Sequence, residues 1–123
     1  MSVLEHSPFQ LPDQPGETEL LAKYFRGLGD PIRLRALELL LEHEELSVGE
    51  LVERLGEPQP KVSNHLACLR WCGFVSTRRE HRTVHYRVSD ERIAAIVALA
   101  RGLLADNEEH VAACCRIDRG AER

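Results

Sequence analysis

Apolar positions follow a helical period through most of the chain. Leu20, Leu21, Tyr24, Phe25 and Leu28 form a first stripe, with Thr18 as the expected N-cap and Gly27 and Gly29 marking its end. Asp30-Pro31 opens a second helix, a capping acid followed by a proline in the first turn, where a missing N–H leaves no bond unmade. Its apolar face reads as Ile32, Leu34, Ala36, Leu37, Leu40 and Leu41, and Glu42 to Leu46 reads as a polar connection. Ser47 and Glu50 have the spacing of a capping box ahead of Val48, Leu51, Val52 and Leu55, and Gly56 ends this short third helix. Glu57-Pro58-Gln59-Pro60 starts a fourth that runs to about Trp71, with Val62, Leu66 and Leu69 inward, and Gly73 stops it.

The period then changes. Phe74 to Thr77 and Val84 to Val88 are β-branched or aromatic with partial alternation, and the basic stretch Arg78 to Thr83 between them reads as a hairpin tip. Ser89 or Asp90 caps a last long helix carrying Ile93, Ile96, Val97, Leu99, Ala100, Leu103 and Leu104, continuing to about Ala113. Two short helices joined by Gly56-Glu57-Pro58 make a helix-turn-helix, and a hairpin placed after them is a wing. The fold class is therefore mainly α with a β-hairpin wing, a winged helix-turn-helix. Residues 1–16, with Pro8, Pro12, Pro15 and Gly16, are expected to be a flexible N-terminal arm, residues 17–113 the folded domain, and residues 114–123 a tail that begins with cysteines. No internal repeat or low-complexity segment interrupts this order.

A chain of 123 residues fits one domain, and its 43% hydrophobic and 29% charged content is that of a soluble globular protein. No apolar run reaches the roughly 20 residues of a membrane span, and the first residues lack a secretory pattern, so a cytoplasmic protein with no membrane partner is expected. The net charge of −4 averages over an uneven distribution. Lys61, Arg70, Arg78, Arg79, Arg82 and Arg87 face only Glu80 between residues 61 and 87, a local basic stripe of the kind that meets phosphates. A glycine-rich phosphate loop, a Ser-His-Asp arrangement and a pocket-forming carboxylate pair are all missing from the sequence, so an enzyme is not expected.

Two constellations carry chemistry. The early turns of the fourth helix present Gln59, Lys61, Ser63, Asn64 and His65. Lysine and small polar groups suit phosphates, while Gln and Asn match an adenine edge in the major groove of double-stranded DNA. Arg78, Arg79 and Arg82 at the wing tip, and Arg33 at the start of the second helix, are the further candidate DNA contacts. The second constellation is the cysteines. Cys68 and Cys72 stand one helical turn apart on one face, and Cys114 and Cys115 lie at the end of the last helix. In a reducing compartment these are thiols, fit either to bind a soft metal or to act as a redox switch. His110, one turn before Cys114, is a possible extra ligand, whereas His6, His43 and His85 read as structural or solvated.

The stretches Leu28-Gly29-Asp30-Pro31-Ile32-Arg33-Leu34-Arg35 and Lys61-Val62-Ser63-Asn64-His65-Leu66-Ala67-Cys68-Leu69-Arg70, with His85-Tyr86-Arg87-Val88, resemble the ArsR/SmtB family of metal-responsive repressors over about residues 18–105. The resemblance implies a homodimer joined through its first and last helices, with two recognition helices facing successive major grooves of a palindromic operator. The third helix lacks the cysteines of the family's arsenic-type sites, and the last helix lacks the Asp and His pairs of its zinc-type sites. What matches is the pattern of its cadmium and lead sensors, two recognition-helix cysteines and a third from the C-terminal segment. Leu66 to Phe74 also resembles the family's actinobacterial mercury-resistance repressors. The resemblance thus implies Cys68, Cys72 and Cys114 or Cys115 as ligands of an effector, Hg(II) foremost and Cd(II) or Pb(II) otherwise, whose binding releases DNA. The adjacent pair Cys114-Cys115 departs from the pattern, since one cysteine would suffice.

Overall fold

The computed structural model describes residues 16–115 and 117. The expected arm therefore lies outside the described residues except for Gly16, and so does the tail beyond Cys114, Cys115 and Ile117.

Helix α1 (Glu17–Leu28) is capped by Gly16 without a side-chain bond. Thr18 sits inside its first turn between Glu17 and Glu19, whose charges suit the positive end of the helix dipole. Helix α2 (Pro31–His43) follows the expected signal closely. Asp30 Oδ1 accepts the N–H groups of Ile32 (2.8 Å) and Arg33 (3.1 Å), two of the four donors that a helix start leaves free. Its buried face is Ala36, Leu37, Leu39 and Leu40, while Leu34 and Leu41 are turned outward, a correction to the face read from spacing. Helix α3 (Val48–Leu55) is closed by the expected capping box, with Ser47 Oγ accepting from Glu50 N–H at 3.1 Å and Glu50 Oε1 accepting from Ser47 N–H at 3.0 Å. Gly56 ends it at φ 67°, the left-handed region that permits the sharp turn into helix α4 (Gln59–Trp71).

The sheet holds more than a hairpin. Strands β2 (Val75–Glu80) and β3 (Thr83–Val88) pair antiparallel from Val75↔Val88 to Glu80↔Thr83, so the turn is only His81-Arg82. The two-residue strand β1 (Leu46–Ser47), read above as connection, pairs with β3 and gives the order β1-β3-β2. A strand that short carries no alternation in sequence; only its partner identifies it. Helix α5 (Glu91–Ala113) starts on Asp90, the expected cap.

The core gathers one face from each element. Leu37 and Leu40 of α2, Leu51 of α3, Val62, Leu66 and Leu69 of α4, and Phe74 are fully buried, each stabilising the fold by about 1.5–3 kcal/mol relative to exposure. Tyr24 of α1 lies against Phe74 with ring centroids 4.4 Å apart. Helix α5 contributes only Ile93 and Val97 to the buried set. Among the described residues no helix is long and apolar enough to cross a membrane.

Candidate nucleic-acid interface and thiol pair

Helix α4 is anchored through Val62, Leu66 and Leu69, and this fixes what its other face can present. Gln59, Lys61, Ser63 and Asn64 are exposed together at its start, with Arg70 and Trp71 at its end. Lys61 Nζ lies 3.6 Å from Glu57, an exposed pair one turn back that leaves the ammonium in water.

His65 and Arg33 were expected at the DNA face, and the structure turns both inward. Arg33 donates from Nε to the carbonyl of Gly27 at 2.7 Å and from Nη2 to that of Arg26 at 3.2 Å, while its Nη1 lies 3.2 Å from His65 Nδ1. Asp30 Oδ1 is 3.8 Å from the same ring nitrogen. Burial acts against the Asp30 carboxylate, but the N–H donors of Arg33 and Ile32 and the nearby His65 outweigh it and hold the group below its ordinary range. These residues form a staple between the end of α1, the start of α2 and the middle of α4. The turn at Gly29, whose own N–H bonds the Arg26 carbonyl, brings the Gly27 and Arg26 carbonyls within reach of one guanidinium.

On the wing, Arg82 sits in the tip beside His81, whose φ of 58° makes the two-residue turn possible. Arg82, Thr83 and Val84 face Ser47, Gln59 and Ser63 across a groove of about 470 Å³. The groove is walled by the wing on one side and the starts of α3 and α4 on the other. Arg78 and Arg79 lie within β2, not in the tip. Arg78 is held by Glu45, with Nη2–Oε1 at 2.6 Å and Nε–Oε2 at 3.3 Å, and by Glu80 at 2.8 Å from Nη1. Its hydrogen bonds hold the Glu45 and Glu80 carboxyls below their ordinary range. Arg79 and Arg82 make no ion pair among the described residues. Sequence reading missed Glu45 altogether. Its partner is 33 residues away, and no local pattern joins them.

Cys68, half-buried, and Cys72, exposed and acting as the C-cap of α4, stand where their spacing put them. Burial and the adjacent Cys68 thiol push the Cys72 thiol above its ordinary value, against a smaller opposing effect of Arg33 and Lys23. Cys114 caps the end of α5, half-buried, and Cys115 follows it, exposed. His110 is exposed on the last turns of α5. Among the described residues no group of three or more His, Cys, Asp or Glu side chains is gathered to hold a metal. Among the described residues the cysteines of α4 and those at the end of α5 are therefore not gathered into one cluster.

Comparison with known proteins places this geometry. Residues 30–77 match the family model described as bacterial regulatory protein, arsR family. A probable mercury resistance operon repressor of Streptomyces lividans is 46% identical over 102 residues, covering 83% of this chain and 81% of that protein. The solved structure of Rv0081 from Mycobacterium tuberculosis superposes with a TM-score of 0.73 at 35% identity, over 81% of this chain and 100% of its own. The homodimeric winged helix-turn-helix DNA-binding domain Mb0332 of Mycobacterium bovis superposes at 0.63 with 28% identity, over 79% of this chain and 92% of its own. With the helix-turn-helix, the wing and these likenesses together, the chain belongs to the ArsR family of DNA-binding transcriptional regulators and is not an enzyme.

Proposed function

We propose that this regulator is a repressor that binds a palindromic operator as a homodimer and releases it when a thiophilic metal ion binds, Hg(II) foremost and Cd(II) or Pb(II) otherwise. The observation that carries the reading is the placement of Cys68 and Cys72 on α4, the helix whose exposed start bears Gln59, Lys61, Ser63 and Asn64. Whatever holds these two thiols acts directly on the DNA-reading element.

The dimer partner is proposed to lie against α1 and α5. Leu20, Leu21 and Phe25 on α1, and Leu99, Leu103 and Leu104 on α5, are exposed and apolar. Phe25, Leu28, Leu34, Ile96 and Leu104 line a groove of about 350 Å³ between α1, α2 and α5. A second copy covers such a face self-complementarily. It also answers the separation of the thiols, because an α4 pair not gathered with the cysteines at the end of its own α5 can join Cys114 or Cys115 of a second copy. Soft thiolates suit Hg(II), which accepts two or three sulfur ligands. The rival reading is a thiol redox switch built on the same cysteines, in which the thiols oxidise and no metal is needed.

Within this reading Gln59 and Asn64 meet base edges, and Lys61, Ser63, Arg79 and Arg82 meet phosphates. Arg33 and His65 hold α4 against the α1–α2 turn rather than reaching DNA. Fixing Cys68 and Cys72 to the last helix of the partner biases the position of α4, and metal and DNA then oppose each other by the same coupling free energy, typically about 1–3 kcal/mol.

The test uses reduced protein and a duplex that it selects from random-sequence DNA, titrated with Hg(II), Cd(II), Pb(II) and Zn(II). Thiolate–metal absorption and DNA release are followed together. Release is expected near a stoichiometry of about one ion per subunit and is lost in Cys68→Ser and Cys72→Ser. Thiolate bands without release would overturn the metal-sensing reading and bring the redox one forward.

A further inference from the structure

The wing is supported only at its base. β1 pairs with β3 at Leu46↔Tyr86 and Ser47↔His85 and stops there. Beyond that row, Arg79↔Val84, Glu80↔Thr83 and the turn form a ribbon of two strands. A two-stranded ribbon is at best marginally stable in water, so its angle to the domain must be set where support ends. Arg78 stands at that place, opposite His85 on the last row that β1 reaches.

Strand alternation sends Arg78 and Arg79 to opposite faces. Arg79 pairs with Val84, which lines the groove beside Gln59 and Ser63. Arg78 goes the other way. Its guanidinium passes His85 and grips Glu45, the residue before β1, with two donors, while His85 Nδ1 lies 4.0 Å from the same carboxylate. Glu80, two residues along β2 on the same face, takes the third donor. One planar fork thus ties the outer strand β2, across β3, to the segment that leads into α3. A lone exposed ion pair contributes little, but a bidentate fork in a network of several charges is the geometry in which it counts.

We infer that Arg78 is a positioning residue for DNA binding, bracing the wing through Glu45, and that the wing meets DNA through Arg79 and Arg82 instead. The inference rests on the DNA-binding reading above. It is separable from the plain alternative, a phosphate contact by Arg78 itself, because Glu45→Gln moves the two in opposite directions. If Arg78 touched phosphate, the substitution would remove a nearby negative charge and free the guanidinium, and DNA would bind more tightly. If Arg78 is a brace, the same change loosens the wing.

The experiment measures binding of the selected duplex across a salt series, for wild type, Glu45→Gln, Arg78→Gln and Arg82→Gln. Hydrogen exchange of the wing amides from Arg79 to Val84 is measured in the DNA-free protein. Glu45→Gln and Arg78→Gln are expected to weaken binding by about three- to tenfold with the salt slope unchanged, and to speed wing exchange by a similar factor. Arg82→Gln is expected to reduce the slope by about 0.9 for each phosphate that the arginine neutralises, and to leave exchange alone. Unchanged or tighter binding by Glu45→Gln, unaltered wing exchange, or a slope reduced by Arg78→Gln as by Arg82→Gln would each overturn the inference. A wild-type protein that selects no duplex would overturn the DNA-binding reading, and with it this role for the wing, even if Glu45→Gln still speeds exchange.

Discussion

Asp30 joins two structures with one carboxylate. It caps α2 through the N–H groups of Ile32 and Arg33, and it lies 3.8 Å from the His65 ring on α4. Removing a capping oxygen costs about 1 kcal/mol, and Asp30→Ala is expected to lower the unfolding free energy by that amount at pH 7. The sign of its pH dependence follows from the lowered folded-state pKa. Stability from such a group is complete above its ordinary value of 3.8 and is lost as pH falls through the lower folded value. Urea unfolding of wild type and Asp30→Ala at pH 7 and pH 3 is expected to show the gap narrowing in acid. A gap that widened there would mean that the carboxylate is not the favoured form in the fold.

At the scale of elements, the passage from α4 to the sheet is short: Cys72, Gly73 and Phe74 join Trp71 to Val75. Gly73 adopts φ 84°, a conformation L residues rarely take, and a Cβ there would meet nothing within 4 Å. Gly73→Ala is therefore expected to cost about 1–2 kcal/mol through backbone strain alone, seen in thermal or urea melts. The duplex affinity of the folded protein should stay at the wild-type level, because the exposed start of α4 is three turns away. A loss of affinity in protein shown to be folded would mean that the α4–β2 junction sets the pose of the helix. The wing shows a related dependence of one element on another. Strand β2 runs past Thr77, where its sequence pattern ends, because Arg78, Arg79 and Glu80 each find a pairing partner on β3.

The whole molecule leaves a large apolar face unfilled. Leu99 is 71% exposed and Leu103 67%, on a helix about 34 Å long at 1.5 Å per residue that gives the subunit's own core only Ile93 and Val97. Leu99→Glu combined with Leu103→Glu is expected to yield a folded monomer in sedimentation velocity. Its affinity for the selected duplex is expected to fall by about a hundredfold or more, the loss of avidity when two half-sites are no longer bound together. A dimer that survived both charges would move the proposed interface away from α5.

Local rules carried the reading a long way. The cap at Asp30, the box at Ser47 and Glu50, the glycine at 56 and the four-residue spacing of Cys68 and Cys72 all act within one turn of chain, so the sequence states them directly. The same adjacency misled the reading at Arg78 and Arg79, two neighbouring cations taken as one exposed tip. Strand pairing puts them on opposite faces, and only β3 and Glu45 show which face is which. Arg33 and His65 were equally beyond reach, because the partners of Arg33 are carbonyls at the end of another helix and a ring 32 residues away. The sequence by itself determined the order of the helices and the hairpin, the family pattern and the thiol pair, since those depend on period and spacing. Only the tertiary structure decided which charges are already paired within the domain and which remain exposed for a partner, since a charge's partner is set by the packing of distant elements and not by its neighbours in sequence.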